Sequence, residues 1–137
     1  MKTKTKTLTK NTTFSGSADL EIARRARNFV KNLRRNVVAF GTIQNNSDKK
    51  YAQRVALAKK IATNRIVTSI EKVLANNPTD SAITIGMGAL RTELTEKVVE
   101  LVKIKKNPDS SLYAIRRARG EEIATESALN RVVKLLS

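Results

Sequence analysis

The sequence predicts an all-α fold: four long helices in an up-and-down bundle or helical-hairpin arrangement, preceded by a flexible basic arm. Three observations lead there. Apolar residues recur at helical spacing over four segments of roughly 23 to 28 residues, about 35 to 42 Å each at the α-helical rise. Turn and cap signals separate these segments at short joints, which favours antiparallel neighbours. No segment alternates apolar and polar residues over a strand length, apart from a Lys-Thr stretch whose alternation has no apolar face. The 137 residues suit a single helical domain, 17–137, with 1–16 as the arm.

The arm alternates Lys and Thr, carries Lys2, Lys4, Lys6 and Lys10, and offers only Leu8 and Phe14 to a core. Such a segment buries too little apolar surface to offset its ordering entropy, so it is expected to be disordered when free. Ser17 is positioned as an N-cap, with Asp19 and Glu21 where acids suit the helix dipole. From there to Phe40 an apolar stripe runs through Ile22, Ala26, Phe29, Val30, Leu33 and Val37. Arg24, Arg27, Lys31, Arg34 and Arg35 take the opposite side, and Arg25, Asn28, Asn32 and Asn36 form a polar row. Gly41 reads as the C-terminal stop and Thr42 to Asn46 as a loop.

Ser47, with Asp48 after it, signals a second helix to about Ala75. Tyr51, Val55, Ala58, Ala62, Ile66 and Val73 share one face, while Leu57, Ile61, Val67 and Leu74 lie elsewhere. That arc is too wide for one neighbour, so this helix is expected to touch more than one element. Asn77-Pro78-Thr79-Asp80 breaks the chain. Ile83, Met87, Leu90, Leu94, Val98 and Leu101 then keep one phase through Gly86 and Gly88, giving a third helix to about Lys106. Asn107-Pro108-Asp109-Ser110 repeats the stop, and a fourth helix runs from about Ser111 to Leu136 with a kink expected at Gly120.

Charge locates function. There are 27 Lys+Arg against 12 Asp+Glu, a net +15 with no His. Thirteen of those charges precede Asn77; the third and fourth helices are nearly balanced. Charge of this size repels itself unless a polyanion neutralises it, so nucleic acid or an anionic surface is the expected partner. With neither Cys nor His, disulfides, zinc ribbons, thiol nucleophiles and the usual general base are excluded. Five Phe and Tyr residues with no Trp are too few for a reader that stacks single-stranded bases on aromatic platforms. No run of about 18 apolar residues offers a membrane span.

Arg24-Arg25-Ala26-Arg27 recurs as Arg116-Arg117-Ala118-Arg119. In each, three guanidinium groups fan around one helical turn with the Ala turned inward, a geometry that grips backbone phosphates. The second copy, with Glu121 and Glu122 beside it, reads more readily as a solvated face with local ion pairs. Candidate phosphate-binding residues are Lys2, Lys4, Lys6 and Lys10; Arg24, Arg25, Arg27, Lys31, Arg34 and Arg35; and Lys49, Lys50, Arg54, Lys59, Lys60 and Arg65. Glu93, Glu96 and Glu100, interleaved with Lys97 and Lys103, read as a salt-bridged surface. Gly86-Met87-Gly88 lacks the third Gly and the strand of a nucleotide fingerprint. No catalytic residue, metal ligand, cofactor or small-molecule substrate is expected.

This arrangement resembles the major capsid proteins of filamentous double-stranded DNA viruses of archaea, which are small, basic and helical with N-terminal segments that wrap DNA. The resemblance is one of architecture and spans the whole chain: Lys2 to Lys10 as arm, Arg24 to Arg35 as the DNA-facing helix, the remaining helices as shell. It implies a helical virion in which pairs of identical or related coat subunits wrap the duplex in an A-like form. The same charge suits a chromatin-associated or ribosomal protein binding DNA or RNA in a nucleoid or ribosome. The basic amphipathic first helix also permits a membrane-surface role.

Overall fold

A computed structural model describes residues 16–76 and 79–137, with side chains placed from Glu21 onward. The expected arm, with its four lysines, falls outside the described residues but for Gly16. The described residues form four α-helices and no strand: α1 Gly16–Asn46, α2 Lys50–Asn76, α3 Asp80–Lys106 and α4 Leu112–Leu136.

Two side chains cap helix starts at the joints that the sequence marks. Thr79 accepts from Ala82 N–H, with Asp80 in the first turn of α3, and Ser111 accepts from Ala114 N–H at the start of α4. Lys103, Lys105 and Lys106 complement the dipole in the last turn of α3. The α3–α4 joint is tied by an Asx turn: Asn107 Oδ1 accepts from Asp109 N–H at 2.9 Å.

Other boundaries differ. α1 starts at Gly16, so Ser17 lies inside it. α1 also continues through Gly41 to Asn46. Gly41 costs a helix up to about 1 kcal/mol relative to Ala, but packing against α2 overrides that preference. Lys60 Cδ sits 4.0 Å from where a Gly41 Cβ would be, and Phe40 and Gln44 are half-buried. Ser47 is not the α2 cap. Lys49 holds that position, its carbonyl accepting from Gln53 N–H at 3.0 Å, and Ser47 Oγ accepts from Lys49 N–H. α4 runs unbroken through Gly120.

α1 packs along α2 and α3 along α4, as two antiparallel hairpins, and α2 also packs closely on α4. The wide apolar arc of α2 thus serves two neighbours. The core lies where the starts of α1 and α3 meet the ends of α2 and α4, around Phe29, Leu33, Ile70, Met87, Leu90 and Val132. Ile70, Met87 and Val132 are fully buried, each such side chain contributing about 1.5–3 kcal/mol.

The α2–α4 contact is made by small residues. A Cβ on Gly120 would meet the Val55 carbonyl oxygen at 2.7 Å and Ala58 Cβ at 2.8 Å. Ala56, Ala58, Ala62, Ala118, Ala124 and Ala128 are buried. Leu112, the first residue of α4, is exposed.

The hairpins are related to each other. Tyr51, Ala52, Arg54, Ala56, Ile61, Ala62 and Thr63 of α2 recur 62 residues later as Tyr113, Ala114, Arg116, Ala118, Ile123, Ala124 and Thr125 of α4. The apolar stripes of α1 and α3 coincide at an offset of 61, as in Leu33 with Leu94 and Val37 with Val98. Contacts obey the same correspondence. Ala58 meets its counterpart Gly120, Thr63 and Thr125 each donate to the carbonyl four residues back, and Arg25 reaches Leu135 as Gly86 reaches Val73. The bundle therefore has approximate two-fold symmetry between hairpins, with α2 and α4 running in the same direction across its short diagonal.

Two glycine substitutions separate close approach from helix propensity. Gly120→Ala should destabilise the bundle by about 1–3 kcal/mol, because the methyl group meets backbone that cannot yield cheaply. Gly88→Ala, where no atom lies within 4 Å, should stabilise it by about 0.4–1 kcal/mol. Urea denaturation followed by circular dichroism measures both.

Candidate nucleic-acid interface

α1 offers its outer side to solvent because its inner stripe is taken by the core. Arg24, Arg27, Asn28, Lys31 and Arg35 are all exposed, while Ala26 between them is fully buried. From Arg24 to Arg35 the row extends about 17 Å at the helical rise. Duplex DNA presents a phosphate charge about every 1.7 Å of axis, so a row of this length faces several phosphates.

Carboxylates neutralise part of the row. Glu21 pairs with Arg24 at 2.7 Å and Arg25 at 3.5 Å. Arg25 also donates to the Leu135 carbonyl at 3.4 Å, which caps the end of α4. Arg34 pairs with Glu71 of α2, a partner the α1 pattern alone does not reveal. Arg27, Lys31 and Arg35 have no ion pair among the described residues. These three form the unneutralised centre of the face.

The bases of α2 are not gathered there. Lys59 lies over the Phe40 ring at 5.6 Å and Lys60 lies beside Gly41, so both half-buried side chains cover the last turns of α1. Arg54 and Arg65 turn to α4 instead. Arg54 lies over the Tyr113 ring at 5.2 Å and Arg65 reaches Glu121 at 3.6 Å. Lys49 and Lys50 are exposed at the start of α2.

The second Arg motif is divided. Ala118 is buried, as the spacing requires. Arg117 pairs with Glu121 at 3.2 Å, Glu122 pairs with Lys105, and Arg119 is exposed. Arg116 lies over the Tyr51 ring at 4.8 Å. Tyr51, expected on the inner face of α2, is exposed, and no role was read for Tyr113, although the repeat of Tyr-Ala-x-Arg at the starts of α2 and α4 marks both. On α3, Lys97 pairs with Glu100 at 3.2 Å, and Glu93 and Glu96 are exposed.

Comparison of the chain with protein-family models, with curated proteins and with solved structures gives no match. Among the described residues no group of three His, Cys, Asp or Glu side chains is placed to hold a metal ion, and no helix is long and apolar enough to cross a membrane.

Glu21 reports on this face. The hydrogen bond from Arg24 and then the Arg24 charge lower its carboxyl pKa from the ordinary Glu value; desolvation opposes them, and the Arg25 charge adds the smallest lowering. A lowered carboxyl pKa contributes stability above the unfolded-state value and loses it as pH falls through the folded-state value. Arg24→Ala should therefore raise the Glu21 midpoint toward the ordinary Glu value in an NMR pH titration. High salt should shift it the same way in the unmodified protein, since the pair is exposed.

Proposed function

We propose that this protein is a structural nucleoprotein: the major coat subunit of a helical virion that wraps double-stranded DNA through phosphate contacts without reading its sequence. The observation that carries the reading is the outer face of α1. There Arg27, Lys31 and Arg35 stand exposed and unneutralised, flanked by Arg24, in a chain of net charge +15. The sequence carries four further lysines, and no acid, in residues 1–16. Arg is suited to phosphate because its planar fork donates to two oxygens at once.

The other half of the molecule supports assembly. α3 and α4 hold little of the net charge, yet Ile85 is 74% exposed and Val99 51%. Apolar side chains on a charge-balanced helix suit contact with protein more than with a polyanion. Coat subunits, identical or paired with a related chain, would then polymerise along the duplex, as the resemblance to archaeal filamentous-virus capsid proteins implies.

Electron microscopy of the purified protein with duplex DNA should reveal long regular filaments whose nucleic acid resists nuclease. Discrete beads or particles would favour a chromatin-type protein instead. Replacing Arg24, Arg27, Lys31 and Arg35 with Ala should reduce the slope of log affinity against log salt by up to about 3.6, at about 0.9 per lost phosphate contact. An unchanged slope would place the binding face elsewhere.

A further inference from the structure

We infer that the paired Tyr-Ala-x-Arg turns at the starts of α2 and α4 form a second nucleic-acid contact, in which Arg54 and Arg116 bind phosphates of the duplex. The inference rests on the nucleoprotein reading above and adds a surface separate from the α1 face.

The cluster is reciprocal. Arg54 of α2 lies over Tyr113 of α4 at 5.2 Å, and Arg116 of α4 lies over Tyr51 of α2 at 4.8 Å. The approximate two-fold axis relates one pair to the other. A guanidinium stacked on a ring keeps its N–H edge free, and neither arginine has an ion pair or side-chain hydrogen bond among the described residues. Each positive group is thus held over a ring of the facing helix with no ion pair among the described residues. Holding them in place lowers the entropy lost on binding.

The first carboxylate of α4 in sequence does not pair with them. Glu121 is engaged by Arg65 at 3.6 Å and Arg117 at 3.2 Å. Both tyrosine rings remain open, Tyr51 at 41% and Tyr113 at 52% exposure. A site that only fastened α2 to α4 would need neither the free donor edges nor the open rings. Duplex DNA suits the symmetry, because its two backbones are themselves related by dyads, and a two-fold protein site can take a phosphate from each strand.

The chain has two tyrosines and no Trp, and both tyrosines lie in this cluster. Full-length protein carrying fluorotyrosine should therefore give two ¹⁹F signals, assigned through Tyr51→Phe and Tyr113→Phe. Adding a DNA duplex of about one helical turn should shift both signals saturably. The double variant Arg54→Gln/Arg116→Gln should lose about 1.8 from the salt slope, two contacts at about 0.9 each, while keeping its circular dichroism. Duplex binding with both signals unmoved would overturn the inference and leave the α1 reading standing. So would an unchanged slope in a folded variant, or signals that move with anionic vesicles and not with duplex. Should the variant fail to fold, the ¹⁹F shifts of the unmodified sequence decide. Absence of any duplex binding would overturn both readings together.

Discussion

The close approach of α2 and α4 at Ala58 and Gly120 governs the architecture. With no Cβ at Gly120, the α4 backbone meets the Val55 carbonyl and Ala58 directly at this seam. Interaxial distance follows the size of the side chains between helices. A short α2–α4 diagonal pushes α1 and α3 to the flanks, where each buries one stripe and leaves an outer face free. The seam also sets the start of α2 beside the start of α4, and so assembles the Arg and Tyr side chains of Tyr51, Arg54, Tyr113 and Arg116.

One hairpin design is used twice with different surfaces. Arg24, Arg27, Lys31 and Arg35 on the outer side of α1 correspond, at the offset of 61, to Ile85, Gly88, Thr92 and Glu96 on α3. The inner stripes match in the same register, since both must fill the same core. Surface positions carry no such packing constraint, so their chemistry is free to diverge. One flank has become a row of cations and the other a mixture of small, apolar and acidic groups. That asymmetry gives the molecule two unlike sides.

Much of the fold was legible because periodicity and caps are local properties. The stripes of α1 and α3 and the Pro-marked joints all act within a few residues. Gly41 and Ser47 misled for the same reason. Each is a plausible local signal that packing of α1 on α2 outweighs. The outer row of α1 was legible as a run of bases, but the pairing of Arg34 with Glu71 was not, since the partner lies 37 residues away on another helix. The Tyr-Ala-x-Arg repeat was present in the sequence and went unused, hidden by the divergence of charge around it.

The amino-acid sequence by itself determined the helical class, the four elements, most of their inner faces and the concentration of positive charge before Asn77. These follow from spacing and composition, which need no knowledge of neighbours. Only the tertiary structure decided which cations remain unneutralised and which helices touch. Among the described residues Arg27, Lys31 and Arg35 have no ion pair; Arg34, Arg65 and Lys105 find carboxylates on another helix, Lys59, Arg54 and Arg116 find rings there, and Arg24, Arg25 and Arg117 pair within their own helices. The reason is physical: a hydrogen-bonded ion pair or a ring contact needs direct approach, so the packing of α1 on α2 and of α2 on α4 selects which partners on other helices are within reach.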